Sequence, residues 1–270
     1  MPAESTAAPA AIADYRIVRL LAEGNHGKFY LAEAPERLGL TEKLVALKVF
    51  HNEVTEDAYR RGVRELRAFA AVKSPRLVKI FDAVLDDRFF YAMEYFPLGS
   101  LASPGRELTR AETLRALQDA AVAVHELHEN GMVHGDVQPA NIMFDGTGGK
   151  LSDLGLVRVL NSESTVTSIA PTTSVEFIDP ELLQGALPSR ATDIWALGAT
   201  IHRVLTGDGL YGDLPPGQPL VAIRAVVSGQ SKVSSKLGVD EARLVQACLA
   251  PAEHRPPTAA AVAEAIGRLA

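Results

Sequence analysis

The first third of the chain alternates apolar and polar residues with a period of two. Such runs cover Tyr15–Ala22, Lys28–Ala34, Lys43–Phe50, Leu77–Leu85 and Arg88–Glu94, and each predicts a strand. One stretch departs from this rhythm. Between Glu56 and Val72 the apolar Val63, Leu66, Phe69 and Ala70 recur at helical spacing, which predicts a helix with one buried face. Pro97, Leu98 and Gly99 then end the strand-like region. The four residues Thr109-Arg110-Ala111-Glu112 form a capping-box signature. The helix they open carries Leu114, Leu117, Ala121, Val124 and Leu127 on one face, with Gly131 suited to its stop. Further helices are predicted near Arg190–Thr206, Leu220–Ser228, Asp240–Leu249 and Thr258–Leu269. The pattern predicts an α+β chain. A small β-rich lobe with one helix, 14–96, precedes a larger and mostly helical lobe, 97–270, and one short linker between them implies a cleft.

Composition changes this picture little. The 270 residues are 47% hydrophobic and 22% charged, with a net charge of −6, an ordinary globular balance with core enough for two lobes. A net negative chain lacks the clustered Lys and Arg of a nucleic-acid footprint, so no nucleic-acid partner is expected. One cysteine, Cys248, excludes an internal disulfide and a Cys-rich zinc site; its neighbours Leu244, Val245, Ala247 and Leu249 suggest a buried helix face. Residues 1–13 are rich in Ala and Pro and read as a disordered tail, not a signal peptide. No run approaches the roughly 18 apolar residues that a membrane helix needs. The expectation is a cytoplasmic chain with no membrane segment, either whole or cut from a longer protein.

Several short motifs carry chemistry. Leu21-Ala22-Glu23-Gly24-Asn25-His26-Gly27 lies between two predicted strands and is followed by Phe29 and Tyr30. Glycines at 24 and 27 permit close approach of backbone to a phosphate chain, although two glycines in a hairpin are usually a turn. Val45-Ala46-Leu47-Lys48 sets a lysine on an apolar strand, where a lone lysine would ordinarily snorkel at an edge. Glu65, on the predicted helix, stands seventeen residues later. The decisive stretch is His134-Gly135-Asp136-Val137-Gln138-Pro139-Ala140-Asn141, followed by Ser152-Asp153-Leu154-Gly155. It offers a candidate base, a neutral oxygen ligand and an acidic ligand for a hard cation.

In their order these elements resemble the signature of protein kinases, most closely the bacterial Ser/Thr family: a glycine loop, a VAIK-like lysine, a helix glutamate, an HRDxxxxN-like loop and a DFG-like triplet. Phe177-Ile178-Asp179-Pro180-Glu181 resembles the APE end of an activation segment, and Asp193-Ile194-Trp195-Ala196-Leu197-Gly198 the helix that follows. Arg255 stands where the family places the arginine that pairs with the APE glutamate, here Glu181. The resemblance runs from about residue 15 to 269. It implies a bilobal kinase fold that moves the γ-phosphoryl of Mg-ATP (Mn²⁺ being possible in place of Mg²⁺) onto Ser/Thr hydroxyls of protein substrates, with autophosphorylation. Gly24 and Gly27 would then cover the phosphates, and Ala22, Phe29 and Ala46 would border the nucleotide. Lys48 would contact the α- and β-phosphates, held by Glu65. Met93 would be the gatekeeper, and Glu94, Tyr95 and Phe96 the hinge whose backbone binds adenine. Asp136 would take or orient the hydroxyl proton with Gln138 beside it, Asn141 and Asp153 would hold the metal, and His134 would brace the loop.

The chain departs from the family at informative positions. Ala22 replaces the first loop glycine. Gly135 replaces the arginine that receives a phosphorylated activation segment, so phosphorylation there should matter less for switching. Ser162, Ser164, Thr165, Thr167, Ser168, Thr172 and Thr173 still make autophosphorylation plausible. Gln138 replaces a lysine that meets the γ-phosphate; losing one such contact can cost roughly 10²–10³ in rate. Leu154 replaces Phe, Asp179 replaces Ala in the APE triplet, and Ser174 replaces a threonine. Two rivals stay open on the sequence. One is a nucleotide-binding pseudokinase or scaffold, favoured by Ala22, Gly135 and Gln138. The other is a small-molecule phosphotransferase of the aminoglycoside or choline type, whose loop His134-Gly135-Asp136 resembles more closely.

Overall fold

A computed structural model describes residues 9–24, 27–51, 55–86, 88–154, 175–215 and 218–269. The chain divides into two compact units. Unit 1 comprises Met1–Ala70 and Lys79–Tyr95, and unit 2 comprises Ala71–Val78 and Phe96–Ala270.

Unit 1 is built on a six-stranded antiparallel sheet in the order β1-β2-β3-β4-β6-β5. Its strands are β1 Ala11–Ile12, β2 Tyr15–Gly24, β3 Gly27–Glu33, β4 Leu44–Phe50, β5 Ile80–Leu85 and β6 Phe89–Glu94. The β-branched and aromatic alternation along these runs suits a pleated surface. Tyr15, Tyr30, Val45, Leu47, Phe90 and Ala92 meet in one core cluster. The far end of the expected N-terminal tail is not free: Ala11 and Ile12 pair with Arg16 and Tyr15 of β2, a two-residue strand too short to register in sequence periodicity. Tyr15, fully buried, donates its hydroxyl to Asp82 Oδ2 at 2.7 Å. The one α-helix among the described residues of this unit, α1 (Glu56–Ala71), buries Ala58, Gly62, Leu66 and Phe69. Leu66 and Phe69 were expected on that face. Ala70 is exposed and Val63 only half-buried, because the buried stripe follows 58, 62, 66 and 69 at helical spacing, one position off the run read from apolarity.

Unit 2 is mostly helical. After β7 (Gly99–Ser100) and β8 (Ser103–Pro104) come α2 (Arg110–Glu129), β9 (Ile142–Phe144) and β10 (Gly149–Leu151), then α3 (Pro180–Leu183), α4 (Arg190–Thr206), α5 (Pro219–Ser228), α6 (Val239–Cys248) and α7 (Ala259–Gly267). The short strands form a sheet in the order β10-β9-β7-β8. The capping box predicted at Thr109 is present, with Glu112 N–H donating to Thr109 Oγ1 and Glu112 accepting from Thr109 N. All five apolar residues predicted for its face are buried. Helix α4 starts on a second box, Ser189 with Thr192, and stops at Gly207 in the left-handed region. Its Gly198 is required by packing, since a Cβ there would come within 2.5 Å of the Cys248 Cβ. Cys248 is therefore a contact of α6 against α4, and burial pushes its thiol up to about 12. Residues 71–78 go with this unit, not with the first 96 residues: Val78 N donates to Leu151 O, and Leu151 N to Arg76 O. No described helix is long and apolar enough to cross a membrane.

Candidate active site

The nucleotide-side candidates other than Phe96 belong to unit 1. Gly24 and Gly27 face each other across the β2–β3 hairpin. Gly27 has a second reason to be glycine, because a Cβ there would lie 2.2 Å from the Val49 carbonyl oxygen of β4. Ala22 is exposed and pairs with Phe29. Lys48 is not the edge lysine of the ordinary reading. Its strand β4 lies between β3 and β6, the residue is 8% exposed, and its Nζ lies 5.2 Å from the Phe29 ring centroid and 5.5 Å from that of Phe50. An ammonium group that close to two aromatic faces is attracted by both rings. Glu65 is half-buried on α1. Ala46 pairs with Leu31 on one side and Met93 on the other, and both Ala46 and Met93 are buried. Glu94 commits its N–H to Lys79 O at 2.9 Å. Phe96, in unit 2, is buried.

The transfer-side candidates belong to unit 2, and their geometry is tightly specified. Asp136 is gripped on both carboxylate oxygens: Gln138 Nε2 donates to Oδ1 at 2.7 Å, and Asn141 Nδ2 donates to Oδ2 at 2.9 Å. Asn141 Nδ2 also donates to the Asp136 carbonyl at 2.8 Å. With its NH₂ spent in this way, the Asn141 amide presents its oxygen as the remaining donor of electrons. Ser152 N donates to Asn141 O at 2.8 Å, which sets Asp153 one residue beyond Asn141's backbone. Asp153 is buried and holds a φ of +58°, an uncommon conformation for a non-glycine residue that concentrates at functional sites.

His134 does brace the loop. Its Nδ1 accepts from Asp136 N at 3.3 Å and its Nε2 faces Ser152 O at 3.0 Å. A backbone N–H on one side and a carbonyl on the other fix the neutral tautomer with the proton on Nε2. Burial holds its pKa below the ordinary histidine range, so the ring stays neutral and carries no proton to a substrate.

The residue that sequence reasoning undervalued is Asp193. Fully buried on the first turn of α4, it accepts from His134 N and Gly135 N, at 2.8 Å each, and bonds His128 Nε2 at 2.8 Å. A carboxylate at a helix N-terminus that takes two backbone N–H groups of a loop fixes the path of that loop. Its signal in the sequence was an aspartate four residues after a serine cap, ahead of an apolar run. Gly135, the second of the two anchored positions, sits at φ +74° with open space where a Cβ would point.

The APE-like corner differs from the expected pairing. Arg255 does reach Glu181, Nη2 to Oε1 at 3.2 Å. Its main partner is Asp179, which takes both Nη atoms, at 2.5 Å and 3.3 Å, with both side chains almost wholly buried. The substitution thus supplies an ion pair in addition to the one expected. Arg255 also donates to Ala250 O and Ala191 O and lies 5.3 Å from the Trp195 ring. Gly155, Ser162, Ser164, Thr165, Thr167, Ser168, Thr172, Thr173 and Ser174 lie outside the described residues.

Among the described residues no cluster of three or more His, Cys, Asp or Glu side chains could hold a metal. The donor set here is of another kind, a neutral amide oxygen and one carboxylate. Hard oxygen donors in small number suit a divalent cation that keeps waters or substrate phosphates as its other ligands, so Asn141 and Asp153 fit that role.

A family model described as protein kinase domain matches residues 15–265. The chain is 30% identical to the serine/threonine-protein kinase PrkC of Bacillus subtilis over 72% of its length, and 31% identical to PknK of Mycobacterium bovis over 92%. It is 31% identical to the DNA damage-responsive serine/threonine-protein kinase RqkA of Deinococcus radiodurans over 72%. These matches cover 30%, 23% and 30% of the respective relatives, so the chain spans less than a third of the length of each.

Proposed function

The chain belongs to the protein kinase domain family, and from that premise we propose that it transfers the γ-phosphoryl of Mg-ATP to Ser/Thr hydroxyls of protein substrates. The family implies use of ATP and a divalent metal in general; Mg²⁺ and the serine/threonine acceptor are the finer reading. The observation that carries it is the double grip of Gln138 and Asn141 on Asp136. An acceptor hydroxyl needs an oriented carboxylate, and phosphoryl transfer asks little more of the protein than position and charge.

In this reading Lys48 meets the α- and β-phosphates with Glu65 as its orienting partner, and Gly24 and Gly27 bring backbone close to the phosphate chain. Asn141 and Asp153 hold the metal, which neutralises phosphate charge when bound. Asp136 orients the hydroxyl and takes its proton as the new O–P bond forms. The bond from the γ-phosphorus to the bridging oxygen breaks, and ADP leaves with that electron pair. Gln138 contributes a donated hydrogen bond where the family commonly has a charge. Gly135 removes the arginine that would read a phosphorylated segment, which supports activity with little dependence on such phosphorylation. Ser162 and its neighbours are the proposed autophosphorylation positions.

The test is incubation with labelled Mg-ATP and myelin basic protein, wild type beside Asp136→Asn. Label from wild type alone, on serine or threonine by phosphosite mapping, is the expected result. Stabilisation by Mg-ATP with no transfer from wild type would overturn the catalytic reading and leave a nucleotide-binding module.

A further inference from the structure

His202 takes no part in the chemistry above, yet it makes a bond that only its neutral ring can make. It lies on α4, 0% exposed, and its Nε2 accepts from the Ser234 backbone N–H at 3.0 Å. That bond fixes the ring proton on Nδ1, which is buried and has no hydrogen-bond partner among the described residues. Ser234 belongs to a segment, 232–236, tied to the C-terminal end of α4. Lys232 N donates to Leu210 O at 2.8 Å, and Ser234 Oγ donates to Asp208 Oδ2 at 2.7 Å. Lys236 Nζ donates to Asp208 Oδ1 at 2.6 Å and to Thr206 O at 3.2 Å.

A proton added at Nε2 would point at the Ser234 N–H, donor against donor, in a fully buried position. Burial keeps the ring neutral and outweighs the attraction of Asp208. Asp208 does not titrate alongside it, because Lys236 and Ser234 hold its carboxyl below the ordinary carboxylate range. Arg203, next along the chain, opposes a second positive charge. The other charged groups on elements packed against α4 are engaged elsewhere. Glu176 pairs with Arg203, Glu241 of α6 with Arg110, and Asp193 with His128 at the opposite end of the helix.

The segment follows closely on α5, which seats Ala222, Ile223 and Val226 against Val175. Residues 175–177 in turn lead into the corner where Arg255 holds Asp179 and Glu181. We infer that His202 is a proton-operated latch: neutral, it keeps 232–236 on the end of α4, and protonated, it releases that segment and loosens the seat of α5, so that transfer falls on mild acidification. The link to transfer rests on the phosphotransfer reading above, whereas the latch itself does not. Once released, the ring returns to the ordinary histidine pKa of about 6.5 and takes up one proton. The released population should therefore grow by up to about tenfold per pH unit below that value.

Hydrogen exchange at the Ser234 amide, corrected for its intrinsic rate, tests the latch in wild type, His202→Gln and Lys236→Ala. Protection in wild type should fall about tenfold between about pH 7.5 and pH 5.5. His202→Gln offers a carbonyl acceptor at every pH, so its protection should stay level. Lys236→Ala should lose protection at both pH values and keep the tenfold difference. Overturning results are a level profile in wild type, the same fall in His202→Gln, or a fall that Lys236→Ala abolishes, which would assign the titration to Asp208. If His202→Gln does not fold, the NMR titration of the wild-type ring decides: its midpoint should coincide with the loss of Ser234 protection, and a ring that titrates while Ser234 stays protected overturns the latch. Labelling of myelin basic protein should decline over the same pH range in wild type more than in His202→Gln, and equal declines overturn the link to transfer. No label at either pH overturns the phosphotransfer reading and leaves the exchange result standing on its own.

Discussion

Removing Asp179 should destabilise the protein far more than removing Glu181, although the family resemblance gives the structural role to the glutamate. Arg255 is 2% exposed at its side chain and Asp179 is 0%, so Asp179→Ala leaves a buried guanidinium with much of its compensation gone. Breaking a buried pair in this way costs about 3–5 kcal/mol. The lower end applies here, because Ala250 O, Ala191 O and the Trp195 face still receive the cation. Asp179 also caps α3 by accepting from Glu181 N at 3.1 Å, and losing that adds roughly 1 kcal/mol. The sum is about 4 kcal/mol. Glu181 is 43% exposed and 3.2 Å from Arg255, where solvent screening reduces the loss to about 1 kcal/mol or less. The assay is urea denaturation followed by fluorescence of Trp195, the chain's single tryptophan, which lies against Arg255. With a slope near 3 kcal/mol/M, the Asp179→Ala midpoint should fall by more than about 1 M and the Glu181→Ala midpoint by a few tenths. Equal shifts, or a larger one for Glu181→Ala, would show that the glutamate carries the corner and that the buried geometry has been misjudged.

Other outcomes follow from the catalytic loop and the buried histidines. Gln138→Ala removes one hydrogen bond from the Asp136 carboxylate and should lower kcat by about 10–100-fold with little change in KM for ATP, whereas Gln138→Lys restores a charge and should raise kcat by as much as about 10²; steady-state kinetics at saturating Mg-ATP read both, and no response to either substitution rejects the role. Gly135→Ala should cost only about 1–2 kcal/mol, the left-handed penalty alone, because no atom lies within 4 Å of the added Cβ; a loss above about 3 kcal/mol by urea denaturation contradicts this. Burial holds the pKa values of His134 and His202 below the ordinary histidine range. The unfolded chain therefore binds more protons than the folded one below about pH 6.5, and stability falls as pH drops through that value. Melting temperature should be level near pH 7–8 and decline toward pH 5, less steeply in His202→Gln; a melting temperature that holds or rises over that range refutes the assignment.

What the sequence made legible depended on whether a residue's neighbours lay close along the chain. Alternation along β2 to β6 and the capping box of α2 are local, and the structure reproduces those elements within a few residues. The order of Lys48, Asp136, Asn141 and Asp153 was likewise visible as motif spacing. Ala11–Ile12 escaped because two residues carry no period. The hold of Asp193 on Gly135 and the pairing of Asp179 with Arg255 span 58 and 76 residues. Contacts that distant leave only the residue types behind, and a buried aspartate reads like any other until the fold supplies its partner.

The departures from the kinase signature make local physical sense in the contacts around them. A β-carbon at 135 would have to endure φ +74°, and glycine removes that strain while Asp193 holds the consecutive N–H groups of His134 and Gly135. Gln138 gives up a charge but keeps a donor short enough to hold Asp136 at 2.7 Å. Asp179 adds a carboxylate where the family has a methyl group, and Arg255 answers it with both Nη atoms. A chain drifting toward loss of function would have no reason to keep the donor on Asp136, the neutral tautomer of His134 and the oxygen edge of Asn141 together. Their joint geometry is what a hydroxyl acceptor and a phosphate require of a loop, and this favours an enzyme over a scaffold more strongly than the count of matched motifs does.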